Sequence, residues 1–317
     1  MKVIEHIQKA NRTLFTIEIL PPKKGEDINT LFNHVETLLE FEPSFIDVTY
    51  HREEYIYKEQ SDGSFKKLTT RKRPGTVGIC AAIQNRYNID TVPHLICGGF
   101  SKEDTENMLI ELDFLGIENI LALRGDPIKS EPGFKAHPDG HCYASELIKQ
   151  VRDMNDGTYL NAELEEATPT NFCIGAAGYP EKHFESPNLD TDFQHLKTKV
   201  DNGAEFIVTQ MFFNNQAYFD FVKSCREHDI NVPIIPGLKP MATLKHLTLL
   251  PQFFHLDIPE ELAREVEKCK DNKEVKEVGV EWCVQQCKEL IDFGAPVLHF
   301  YTMSRSELVK RVAKEVF

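Results

Sequence analysis

Residues 119–127 read N-I-L-A-L-R-G-D-P, from Asn119 to Pro127. The first five are nearly continuous in apolar character, with none of the alternation of a half-exposed strand. An arginine, a glycine and an aspartate follow at once. Such a run, closed by a turn signal, suits a strand covered on both faces, as in a parallel sheet. The residues before it spell a helix. Ser101 and Asp104 have the spacing of a capping box, Met108, Leu109, Leu112 and Leu115 share one apolar face, and Gly116 is a usual helix stop.

This unit of helix, buried strand and polar end recurs along the 317 residues. Strands are expected over 14–19, 45–50, 92–97, 119–124, 172–177, 205–211, 232–238 and 296–301. Helices are expected over 76–89, then from a cap at Asp190 or Thr191 through Phe193, Leu196 and Val200 to Gly203, over 214–228, and over 273–293 before Gly294. Eight β/α units predict an α/β fold, a (β/α)8 TIM barrel forming one domain over 1–317. The alternative is a doubly wound open sheet, but no G-x-G-x-x-G follows the first strand. Segment 51–75 is charged and turn-rich, and reads as an extended loop or a hairpin over the site. Segments 128–140 and 156–170 read as further loops.

Composition narrows the function classes. Lys and Arg number 36 against 50 Asp and Glu, a net charge of −14. That argues against nucleic acid or an anionic membrane as the main partner, while leaving room for a local basic pocket. No apolar run reaches the roughly eighteen residues of a membrane span. The first residues lack the apolar core of a signal peptide, so a cytoplasmic protein is expected. Eight scattered cysteines suit free thiols in a reducing compartment. Cys283 and Cys287 are four apart on an expected helix, but two ligands do not make a structural zinc site, and no metal is expected.

In a barrel of this kind chemistry gathers where the strands end. Glu18 lies between Ile17 and Ile19. It is either a buried general acid or the partner of a core cation. Thr49, Tyr50 and His51 could line a polar ligand. His94 sits in an apolar run and is either a satisfied core histidine or a ligand. Arg124, Gly125 and Asp126 are either an internal ion pair around a tight turn or a ligand clamp. Tyr179 follows small residues and offers a flat face. Asp192, His195 and Lys199 share one helix face, either solvated or facing ribose and phosphate. Gln210 precedes Met211, Phe212 and Phe213, which suits a flat heterocycle. Lys239 is the one strand-end lysine that keeps a Schiff-base reading open. A nucleophile elbow and a P-loop are both absent.

Taken in order, E-I-L-P-P (18–22), V-T-Y (48–50), P-H-L-I-C (93–97), A-L-R-G-D-P (122–127), A-A-G-Y-P-E-K-H (176–183), T-Q-M-F-F (209–213), P-G-L-K-P (236–240) and H-F-Y-T-M-S-R (299–305) resemble the methylenetetrahydrofolate reductase family over about residues 12–317. The resemblance implies a barrel that holds FAD without a Rossmann fold. It implies NADH or NADPH as electron donor, in turn with 5,10-methylenetetrahydrofolate, and 5-methyltetrahydrofolate as product, feeding methionine synthesis. By motif, Glu18 would be the acid and Asp126 would stand near flavin and pterin. Thr49, Tyr50, His94, Arg124, Gly125, Asp126, Tyr143, Ala144, Tyr179, His183, Asp192, His195 and Lys199 would line FAD. Gln210, Tyr301 and Arg305 would hold the folate. His246 and Leu250 depart from the Gln and Phe of some relatives, and the helix after strand five also varies. No regulatory domain is expected beyond the barrel, and a homo-oligomer is. The alternatives are another flavin-linked barrel dehydrogenase, such as one acting on proline, and a non-catalytic flavin- or folate-binding protein.

Overall fold

Eight parallel strands close on themselves in the computed structural model, which describes residues 1–71, 73–128, 131–164, 166–303 and 305–317. In chain order the strands are β1 (Leu14–Ile19), β2 (Phe45–Val48), β3 (Glu54–Glu59), β4 (Phe65–Arg71), β5 (Asp90–Ile96), β6 (Asn119–Leu123), β7 (Cys173–Gly178), β8 (Phe206–Met211), β9 (Ile234–Leu238) and β10 (Val297–Tyr301). Around the barrel the order is β1, β2, β5, β6, β7, β8, β9, β10, and β10 returns to β1. The helices are α1 (Val3–Lys9), α2 (Ile28–Glu36), α3 (Thr76–Tyr87), α4 (Lys102–Phe114), α5 (Ala144–Asn155), α6 (Leu189–Asp201), α7 (Asn215–Glu227), α8 (His246–Phe254), α9 (Glu260–Lys268), α10 (Asn272–Phe293) and α11 (Ser306–Val316). All eight expected barrel strands form, each within two residues of its expected bounds. No helix among the described residues is long and apolar enough to cross a membrane.

Segment 51–75 contains an antiparallel hairpin, β3 with β4, separate from the barrel sheet. Its turn is made by Asp62, whose carboxylate accepts from the Ser64 amide and hydroxyl, and by Gly63 at φ +82°. Tyr55 and Lys67 of the hairpin border a cleft of about 690 Å³, shared with Tyr50, Arg52 and Gly98–Phe100. α4 starts as expected, with Ser101 and Asp104 capping each other. The cap of α6 corrects the expectation. It is Asn188, whose side chain accepts from the Thr191 amide, so the helix begins before Asp190 and Thr191.

Strand side chains alternate between two cores. Outward residues such as Ile17, Ile46, Leu95 and Ile120 pack under the helices in the main core. Inward residues Phe45, Val92, Phe206, Ile235 and Val297 form a second core, joined from below by Val3 of α1. Asn119 fixes that helix, accepting from the Val3 amide at 2.8 Å and donating to the Met1 carbonyl at 3.0 Å. Higher up, the inward positions turn polar: Thr16, Asp47, His94 and His299, then Glu18, Gln210, Lys239 and Tyr301. The interior is therefore apolar at its N-terminal end and polar at its C-terminal mouth.

Candidate functional site at the barrel mouth

Four adjacent strands bring the central group together. β1 aligns Glu18 with Tyr301 on β10 and with Asp47 on β2, and β5 lies next to β2. His94 Nε2 stands 3.6 Å from Glu18 Oε2 and 3.5 Å from Asp47 Oδ2. Glu18 is 9% exposed and Asp47 not at all. Burial pushes the Glu18 carboxyl up to about 7. Neighbouring Asp47 adds to the rise, while His94 and Lys239 oppose it. Burial likewise raises Asp47 to about 6, against the pull of His299. The imidazoles of His94 and His299 are pushed down by burial, so both are neutral at pH 7. His299 Nδ1 meets Thr16 Oγ1 at 3.0 Å.

The other side of the mouth is set by β8, β9 and β10. Gly237 lets the Tyr301 phenol cross the barrel. A Cβ at 237 would lie 2.5 Å from the Tyr301 ring and 2.3 Å from the Thr209 carbonyl, to which the phenol donates at 2.6 Å. Lys239 follows β9, and burial lowers its ammonium to about 8, with Glu18 pulling it back up. Gln210 accepts from the Met211 amide at 2.9 Å, which leaves its amide nitrogen as the end free to donate. Arg305 is exposed at the edge. It and Lys239 add to burial in pushing His246 down to about 4.

A cationic side lies beyond β6 and β7. Arg124 pairs with Glu185 at 2.6 Å rather than with Asp126, and its guanidinium lies 4.9 Å from the Phe134 ring. Gly125, at φ +84°, packs its turn against Ile96. Asp126 opens to solvent, yet its crowded surroundings raise its carboxyl, with Arg124 opposing. Lys199 donates to the Ala177 carbonyl at 2.9 Å and is lowered by burial to about 8, with Asp192 opposing. Asp192 accepts from the His183 amide and the Ser186 hydroxyl. Tyr179 stacks edge-on against His183 with ring centres 4.6 Å apart. Tyr143 is exposed just before α5, Ala144 is buried within its first turn, and His195 is exposed on α6.

The structure thus gathers Glu18, His94 and Tyr301 at the centre, and Arg124, Tyr179, His183, Asp192 and Lys199 on one flank. Tyr143 lies near enough to Arg124 to act on its charge, whereas His195 stands apart from these contacts. Asp47 and His299 escaped the reading of the sequence. The signal for Asp47 was present, since an acid inside F-I-D-V is as out of place as Glu18 inside F-T-I-E-I. Ser304, within the H-F-Y-T-M-S-R motif, lies outside the described residues. Among the described residues no cluster of His, Cys, Asp and Glu is placed to hold a metal.

A closed barrel whose polar mouth carries a buried acid and a cationic flank defines a (β/α)8 protein with a candidate small-molecule site at its mouth. The family model for methylenetetrahydrofolate reductase matches residues 2–316, and the chain belongs to that family. It is 34% identical to methylenetetrahydrofolate reductase 1 of Schizosaccharomyces pombe, covering 98% of this chain and 47% of that one. It is 32% identical to methylenetetrahydrofolate reductase (NADH) 1 of Arabidopsis thaliana, covering 96% and 49%. The chain therefore spans about half the length of these curated relatives. With the 5,10-methylenetetrahydrofolate reductase of Escherichia coli it shares 29% identity, over 92% of this chain and 87% of that one. Among solved structures, an uncharacterized Clostridium thermocellum protein, titled as binding two copies of 5-methyl-5,6,7,8-tetrahydrofolic acid, superposes with a TM-score of 0.59 at 14% identity. It covers 99% of this chain and 97% of its own, a likeness of fold.

Proposed function

We propose that this chain reduces 5,10-methylenetetrahydrofolate to 5-methyltetrahydrofolate, using NADH or NADPH through FAD held at the mouth. The observation that carries this reading is the buried Glu18 carboxyl, which burial pushes up to about 7, at the mouth of a barrel of this family. The flank suits FAD. Arg124 and Lys199 supply two cations for its phosphates, and Tyr179 a flat surface beside them. Thr49 Oγ1 and His94 Nε2 are buried with no hydrogen-bond partner among the described residues, as donors and acceptors kept for a ligand are. Bound FAD supplies hydride transfer between the nicotinamide and the folate.

The chain's own residues do the rest. Glu18 gives its proton to a nitrogen of the folate's five-membered ring, which opens toward the cationic form that accepts hydride. Asp126 stands ready with a carboxylate for that positive charge. Gln210 donates its amide to the pterin, Tyr301 forms the floor, and Arg305 meets the anionic tail. We assign the chain to the cytoplasm, whose reducing conditions suit eight free cysteines.

Purified protein should be yellow, and NADH or NADPH should bleach it without oxygen. Anaerobic stopped-flow with each donor identifies the preferred one. Glu18→Gln should keep that bleaching and lose folate-dependent recovery of the colour by 10²-fold or more, on the order expected for a general acid. A colourless protein that takes up no FAD, or equal loss in both halves, would defeat the reading.

A further inference from the structure

We propose that the hairpin β3–β4 and the neighbouring face of α4 form a docking surface for a second copy of this chain. A two-fold axis relates the two, and each hairpin lies against the α4 of the other copy.

The hairpin projects into solvent. Residues 56–59 and 65–67 are all exposed, and they include Ile56, Tyr57 at 62% and Phe65 at 66%. A two-stranded hairpin is marginal by itself in water, and clustered apolar side chains of this size mark a surface that another molecule covers. The strand register divides its side chains between two faces. Tyr55, Tyr57, Phe65, Lys67 and Thr69 share one face, and Tyr55, Lys67 and Thr69 line the cleft beside it. The outer face carries Ile56 opposite Leu68, then Lys58 directly opposite Lys66. Like charges so paired repel across the strands, and an acidic neighbour relieves them.

The far wall of the cleft is α4, and its charge is opposite. Asp104, Asn107, Met108 and Glu111 border the cleft at helical spacing, and the same face runs on to Phe114 and Leu115. Phe114, at 84%, is the most exposed large apolar side chain among the described residues. Segment 51–75 holds seven Lys and Arg against four Asp and Glu, in a chain whose net charge is −14. A basic aromatic projection and an acidic apolar helix therefore stand side by side. A ligand of one sign would be drawn to one wall and repelled by the other. A surface made of two adjoining opposite halves is its own complement, and a two-fold axis sets unlike against unlike twice. In the pair, the aromatic faces of the two hairpins meet, while Lys58 and Lys66 of each copy reach Glu111 of the other. Apolar contacts at the centre with charges at the rim are the usual anatomy of such a contact.

The test is sedimentation of the full native chain, which should run as a dimer or a multiple of one. Phe65→Ser removes an aromatic from each half and should raise the dissociation constant by about 10²-fold or more. The charge variants Lys58→Glu/Lys66→Glu and Glu111→Lys should each halve the assembly and keep the native circular dichroism. Mixed in equal amounts, these two variants should pair with each other, because one contact is then native and the other has its signs exchanged. A native chain that sediments as a monomer overturns the proposal. So does an assembly that keeps its size in either charge variant, or a mixture that stays apart. Should a variant not fold, hydrogen exchange of the native chain decides, at concentrations above and below the dissociation constant. Amides of residues 55–69 should gain protection at the higher concentration, and equal protection at both overturns the proposal.

Discussion

A glutamate in water ionises near 4.5, and at the barrel mouth Glu18 does so at about 7. Between those values the folded chain holds a proton that the unfolded chain has released. Stability therefore falls as pH rises through this window, and the penalty is complete above 7. At about 1.4 kcal/mol per pH unit, it amounts to about 3 kcal/mol at most. Glu18→Gln should accordingly be more stable than the native chain at pH 8 by about 2–3 kcal/mol, with the gain almost gone at pH 4.5. Urea unfolding at the two pH values measures this, and a gain that did not depend on pH would show that Glu18 ionises freely. Glu18 was legible because one charge stood among apolar residues. The partner of Arg124 was not, because Glu185 arrives from another loop and only the fold brings the two together. For the same reason His94 stayed ambiguous in the sequence. Its meaning lies in Glu18 and Asp47, which belong to other strands.

Strands and their polar ends were legible at the level of elements, because a strand covered on both faces is mostly apolar and ends at a polar turn. The hairpin left its mark in the Asp62-Gly63 turn, although alternation in β3 and β4 is weak. Helix starts were less readable. α6 begins with Asn188, which looks no different in sequence from Asp190. α5 begins at Tyr143 with no small polar cap. Its first turn is held instead from within the helix, by Glu146 reaching back to the amides of Cys142 and Tyr143 at 2.7 and 3.3 Å. Glu146→Ala should cost about 1 kcal/mol in chemical denaturation. It should also raise hydrogen exchange at residues 142–144, next to the cationic flank. Protection unchanged there would mean that the turn is held by other contacts.

For the whole molecule, the closed barrel followed from counting units, while its lower closure did not. Residues 1–12 carry no clear pattern, yet α1 seats Val3 in the inner core, and Asn119 holds it there together with Asp90, which meets the Met1 ammonium and His6. Asn119→Ala should therefore destabilise the entire fold rather than release a terminus, by about 1–3 kcal/mol, chiefly for the buried Val3 amide left unmet. A calorimetric transition that lowers in one step supports this, and a separate early transition would contradict it.

That stopper packs the foot of the barrel with apolar side chains, so a solute meets the inward polar groups from the opposite rim.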